Sequence, residues 1–169
     1  MKIQKIEIRH LDIPFRAPFT TSFGTITSRH VVIGKFFSTL GETIAESPTI
    51  ESPIYTEETT WTVMDTMQRH IGPRLIGEAF ESPADLARLL SHIKRNYMAK
   101  HFVDTAVYHL LSEFKGQSLS QQLGGCKKTV QVGLSIGIEA SVEVLLEKVK
   151  YAVEQGFKRV KIKIKPGWD

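Results

Sequence analysis

Two extended runs separated by a single helix constrain this chain more than any other feature. Thr129-Val-Gln-Val-Gly-Leu-Ser-Ile-Gly-Ile is extended, Ser141 is the N-cap of a helix that runs to Gln155, Gly156 ends that helix, and Lys158 to Lys165 is extended again. Strand, helix and strand in that order form a βαβ unit, which implies a parallel pair with a right-handed crossover. Two parallel strands and one crossover helix neither close a barrel nor cover both faces of a sheet. The expectation is therefore the truncated start of a barrel domain over residues 126–169, with Pro166-Gly-Trp as a rim-loop composition ahead of Asp169.

The grammar before this region differs. Residues 2–13, 30–37 and 41–48 read as three extended pieces of an antiparallel meander, with Pro14, Pro18 and Gly24 breaking the first connection into a loop. That loop, Arg16-Ala-Pro-Phe-Thr-Thr-Ser-Phe-Gly-Thr-Ile-Thr, carries Phe19 and Phe23, which either cap the local core or cover something bound beside it. Helical periodicity runs from Glu57 to about Gln68 and returns after Ser82-Pro83, an N-cap followed by proline at the first helical position. A longer helix over about 97–114 repeats Phe102, Val103, Ala106, Val107, Leu110 and Leu111 on one face. His101, His109 and Met98 on this helix have no same-face His or carboxylate at ligand spacing with any supporting signature, so a metal reading is disfavoured there. The whole is an α+β front domain over 1–125, antiparallel meander plus helices, joined near Gly124-Gly125 to the first βαβ portion of an incomplete (β/α) barrel.

Composition narrows the function classes. With 41% apolar and 24% charged residues, 169 residues have the make-up of a globular protein with a real core. The start alternates polar and apolar residues, unlike a signal peptide, and no stretch approaches the roughly 18 apolar residues of a membrane span. The one cysteine, Cys126, cannot form an internal disulfide, which fits a reducing compartment and a cytoplasmic protein. The net charge of +4 is concentrated in Lys158, Arg159, Lys161, Lys163 and Lys165. A basic polyanion-binding module is the rival this charge raises. Phe157 and Trp168 are too few and too poorly spaced for a base-stacking platform, so no nucleic-acid partner is expected.

In Val160-Lys-Ile-Lys-Ile-Lys, strand alternation puts Lys161, Lys163 and Lys165 on one face and Val160, Ile162 and Ile164 on the other. The lysine face meets either bulk water, as a solvated amphipathic strand, or a polar cavity. Two ammonium groups sharing one cavity disfavour each other's charge, and desolvation adds to this, so one of them can serve as a general base. Barrel enzymes that remove a proton beside a carboxylate pair such a lysine with Mg²⁺ to hold the enediolate. None of the chain's acids is placed to bind that metal.

KIKIKPGWD at the end, APFTTSFGTITSR in the opening loop, the helix start Met98-Ala-Lys100 and VGLSIGI at Val132 to Ile138 together resemble the enolase superfamily. Within it they resemble the branch of o-succinylbenzoate synthases and N-acylamino acid racemases, in order and over essentially the whole chain. The resemblance implies an α+β capping domain over 1–125 ahead of a modified barrel, and chemistry through a Mg²⁺-stabilised enediolate. It implies that Lys163 is the base and Lys161 sits beside the substrate carboxylate, while Lys165 belongs to the rim. It places Ser135 against substrate, Phe19 and Phe23 on a loop closing over the site, and Ile50 and Tyr55 on a second capping segment that lines the pocket. Plain core or loop packing is the competing account of these four loop residues.

One departure is Glu42-Thr-Ile-Ala-Glu46, where Ala45 stands for the second glycine of the family's Gly-x-Gly-Glu, so that local turn does not carry over. The family's three metal-binding acids and its second catalytic lysine have no counterpart up to Asp169, so Mg²⁺ is implied only for a longer enzyme. The expected function is the N-terminal part of a Mg²⁺-dependent o-succinylbenzoate synthase of menaquinone biosynthesis, inactive alone. The alternatives are N-acylamino acid racemase or another enzyme of the mandelate racemase and muconate lactonizing type. The expected partners are a small-molecule carboxylate and, for the longer enzyme, further copies of itself.

Overall fold

The computed structural model describes residues 1–168, and compactness divides them into two units. The first comprises Met1–Ile13 and His30–Cys126; the second comprises Pro14–Arg29 and the residues from Lys127 onward. Residues 14–29 thus group with the C-terminal part and not with the front domain in which the sequence reading places them.

The three-stranded sheet has the order β1 (Ile3–Thr21), β2 (Gly24–Ser38), β3 (Gly41–Ser47). Strand β3 runs antiparallel to β2, with Gly34 opposite Ala45 and Phe36 opposite Thr43. Ala45 is buried within β3 and occupies no turn, so the residue that departs from the family pattern packs as ordinary strand. The expected loop between the first two strands is a correction. β1 and β2 continue through it as hairpin arms to the turn at Ser22-Phe23, and the hydroxyls of Thr20 and Thr25 meet across it at 2.9 Å. Pro14 and Pro18 are compatible with strand structure because β1 is an edge of this sheet, where a missing N–H is tolerated.

In the first unit the sheet packs on helices α1 (Thr60–Thr66), α2 (Gly72–Leu75), α3 (Pro83–Leu89) and α4 (Tyr97–Phe114), and the short α5 (Leu119–Gln122) lies against α4. A π-helical turn, Met67–Ile71, joins α1 to α2, so the helix expected to end near Gln68 continues. Gly72 donates to Met67 O there, and a Cβ at Gly72 would lie 2.8 Å from that oxygen. Pro73, next in line, has no N–H to continue an α-helical ladder. Helix α4 buries all six apolar residues of the expected stripe against Ile3, Val32, Phe36 and Val63. Each of the larger side chains, Phe102, Val103, Val107, Leu110 and Leu111, contributes about 1.5–3 kcal/mol by leaving water. His109, on the same helix, bonds Thr43 Oγ1 through Nδ1 at 2.9 Å and so ties α4 to β3.

In the second unit β4 (Leu134–Ile136) pairs in parallel with β5 (Val160–Ile162), and α6 (Val142–Glu154) is the crossover. Ser141 caps α6 by accepting from Val144 N, as its sequence position implies. The ten-residue and eight-residue extended runs shorten to three-residue strands. Among the described residues no helix is long and apolar enough to cross a membrane.

Candidate active site

The parallel register places Leu134 beside Val160, Ser135 beside Lys161 and Ile136 beside Ile162. The backbone pairing extends one step further, since Lys163 N donates to Ile136 O at 3.1 Å. Alternation along an extended chain sends Lys161 and Lys163 to the same side as Ser135. Lys163 therefore stands immediately past the C-terminal end of β5, the strand end where barrel enzymes hold their reactive groups. Lys165 lies beyond the strand in a turn whose carbonyl accepts from Trp168 N at 2.9 Å.

Lys161 and Lys165 are exposed and Lys163 is half-buried. The described residues thus do not enclose the lysines in the cavity the sequence argument considered. The opposite, apolar face is also open, with Ile162 45% and Ile164 56% exposed, whereas Ile136 and Ile138 are buried. Among the described residues neither outer edge of this two-stranded parallel sheet has a strand neighbour.

The hairpin arm completes this strand end. Thr20 O accepts from Ile138 N at 2.9 Å, just past the end of β4. A Cβ at Gly137 would sit 3.1 Å from Thr20 O and 3.5 Å from Phe19 Cδ2, so glycine allows the arm to lie close and brings the Phe19 ring to that point. Phe23 is at the hairpin turn and 61% exposed. The second unit therefore gathers Phe19, Ser135, Lys161 and Lys163 at the C-terminal end of its parallel pair, with Phe23 at the tip of the arm. Ile50 and Tyr55 belong to the first unit, where Ile50 pairs with Thr59 and Tyr55 is 73% exposed.

Sequence reasoning missed two features, the Thr20–Gly137 approach in the second unit and the role of Glu58 within the first. Thr20 and Gly137 meet through backbone atoms across 117 positions, and no local pattern announces that. Glu58, which the sequence reading does not single out, is a buried carboxylate that accepts from Met98 N at 3.0 and 3.1 Å and from Ala99 N at 3.1 Å.

The residues present do not fit the magnesium ion that the resemblance implies. In the second unit Glu139 is held by Lys148 at 2.7 Å, and Glu143 lies below the usual carboxylate range because Ser141 hydrogen-bonds to it. Among the described residues no three His, Cys, Asp or Glu side chains are grouped to hold a metal.

Comparison with known proteins gives this geometry its context. Residues 4–124 match the family model of the mandelate racemase and muconate lactonizing enzyme N-terminal domain. The chain is 38% identical over 170 residues to an o-succinylbenzoate synthase of Geobacillus stearothermophilus, covering all of this chain and 45% of that protein. It is 36% identical over 169 residues to an N-succinylamino acid racemase of Thermus thermophilus, covering all of this chain and 46% of that protein. A solved enolase-superfamily structure from Listeria innocua superposes with a TM-score of 0.92 at 34% identity, over all of this chain and 46% of that one. The chain thus spans about half the length of the curated relatives it matches. It belongs to the enolase superfamily, in the branch of o-succinylbenzoate synthases and N-succinylamino acid racemases, and carries that superfamily's N-terminal domain.

Proposed function

We propose that this chain forms the N-terminal part of an o-succinylbenzoate synthase, which dehydrates a cyclohexadiene carboxylate. The observation that carries the reading is the position of Lys163, one residue past β5, with Lys161 on the same side beside Ser135 and the Phe19 arm at the same strand end. In this reading Lys163 Nζ takes the proton from the carbon beside the substrate carboxylate, and the electron pair passes into that carboxylate. Lys161 lies next to the carboxylate and offsets its growing negative charge. Loss of the hydroxyl as water, with a proton returned to it, then completes the aromatic ring. Ser135 orients the substrate, Phe19 and Phe23 shield it from water, and Ile50 and Tyr55 bound the part remote from the reacting carbon.

N-acylamino acid racemisation is the second reading, favoured by the 36% identity to the Thermus racemase. It shares the first proton transfer and differs in returning the proton from the opposite face. The magnesium ion of the superfamily would be held by residues other than those described here, and the chain alone is expected to be inactive. We place the whole enzyme in the cytoplasm, acting on a small carboxylate and assembling from identical subunits.

A chimera tests the reading: this chain fused ahead of the C-terminal portion of the Geobacillus stearothermophilus synthase. Formation of o-succinylbenzoate by the chimera supports the synthase, and exchange or inversion at the α-carbon of N-succinylamino acids without dehydration supports the racemase. A folded chimera with neither activity overturns both.

A further inference from the structure

The segment between β3 and α1 is built the opposite way from an ordinary surface loop. Its base is polar and buried: Ser47, Thr49, Glu58, Thr59 and Thr60 are all largely shielded from water. Its tip is open and carries two large apolar side chains, Ile54 58% and Tyr55 73% exposed, among polar neighbours. The two ends are joined by Thr60 N donating to Ile50 O at 3.0 Å and by the Thr49 and Thr60 hydroxyls at 3.2 Å. A surface loop closed at its neck in this way is of the compact kind that frequently carries function.

Glu58 fastens that neck to the core. Helix α4 begins after Asn96, which is left-handed at φ 50° and ψ 46° and does not cap the helix with its side chain. Asn96 Nδ2 instead donates to Lys94 O, and its Oδ1 accepts from Thr66 Oγ1. The first free N–H groups of α4 are satisfied by Glu58, from 40 residues earlier in the chain, in three charge-assisted bonds at the positive end of the helix. Thr56 Oγ1 donates to Glu58 O at 3.0 Å, which folds the descending limb of the loop onto the same anchor.

We infer that Glu58 is a positioning residue, which locks the 50–59 loop to the start of α4 and thereby holds Ile50 and Tyr55 as a preformed wall for the substrate. The inference rests on the reading of Ile50 and Tyr55 as pocket residues. The lock works before substrate arrives, so losing it raises the ordering required on binding and leaves the proton-transfer step alone.

Two measurements on Glu58→Gln and Glu58→Ala test this. In this chain, hydrogen exchange of the Thr60, Met98 and Ala99 amides is expected to accelerate by roughly tenfold or more as the charged acceptor is lost, while Leu110 and Leu111 keep their protection. In the chimera, KM is expected to rise by about tenfold with kcat within about twofold, and the glutamine variant, which keeps one acceptor oxygen, lies between parent and alanine. Equal loss of protection along all of α4 marks a purely structural residue and overturns the inference. So does an unchanged KM once the loop amides are released, or a kcat that falls as far as KM rises. If the parent chimera turns over no substrate, the functional reading falls by itself and exchange decides the lock: release confined to the loop and the α4 start upholds it, and unchanged exchange overturns it.

Discussion

Ser135 and Lys161 stand opposite each other across the parallel pair of β4 and β5, and the Lys163 N–H to Ile136 O bond carries that register past the strand ends. The alignment is set by backbone atoms. Among the described residues the ammonium groups of Lys161 and Lys163 form no ion pair with an acid. Replacing either by alanine is therefore expected to leave the fold alone, with stability within about 0.5 kcal/mol of the parent in urea unfolding. A loss of several kcal/mol would make these lysines structural.

Gly34 faces the edge-to-face pair of Phe36 and Phe102, whose ring centroids are 5.3 Å apart. A Cβ at position 34 would lie 2.4 Å from Phe102 Cζ and 2.9 Å from Phe36 Cε2, so the rings would have to move inside a filled core. Gly34→Ala is expected to cost about 1–3 kcal/mol. The same denaturation experiment checks it, and a neutral result would show that the Phe102 ring has room to shift.

The carboxylate of Asp85 closes the start of α3. It is lowered to about 2 by hydrogen bonds from the Ser82 hydroxyl and the Glu81 N–H and by its bond to Arg88. Its folded value lies below the ordinary aspartate value of 3.8, so the unfolded chain binds the proton more readily. The contribution is present above about pH 4 and is lost as pH falls through about 2. Asp85→Asn should flatten this acid limb of a Tm against pH curve relative to the parent. Superimposable limbs would refute the assignment.

Asp104, on α4, has the opposite sign. Burial pushes its carboxyl above the ordinary value, with His101 offsetting part of the effect. The charged form is disfavoured in the folded state, so ionisation of Asp104 opposes folding at neutral pH and relaxes as pH falls toward 4. Asp104→Asn is therefore expected to match or exceed the parent Tm at pH 7, with the difference narrowing in acid. A clear drop at pH 7 would contradict it.

What the sequence made legible is what local chemistry decides. Ser82 and Ser141 cap their helices where the residue pattern places them, and the α4 stripe buries as its period requires. The hairpin arm was not legible. Pro14, Pro18 and Gly24 read as loop formers, yet on an edge strand proline costs little, and Gly24, at φ 131°, sits at the end of a tight turn. The long extended runs around Ser135 and Lys163 shrink to three residues each because a strand is defined by its partner, and among the described residues each has a single one. At the candidate site the lysine alternation was readable from residue types, whereas the approach of Thr20 to Ile138 is a long-range backbone contact. Glu58 escaped for the same reason, its acceptors being matched to donors 40 residues away.

The most direct test of the account is solvent deuterium exchange at the substrate α-carbon, measured with the chimeric enzyme and its Lys163→Ala variant. Proton removal is the step common to dehydration and racemisation, so the outcome does not depend on which product is released. If Lys163 is the base, the variant loses exchange by about 10²–10⁴-fold while folding and substrate binding persist. Exchange at the parental rate in a folded Lys163→Ala chimera would contradict the central claim and move the base to another residue.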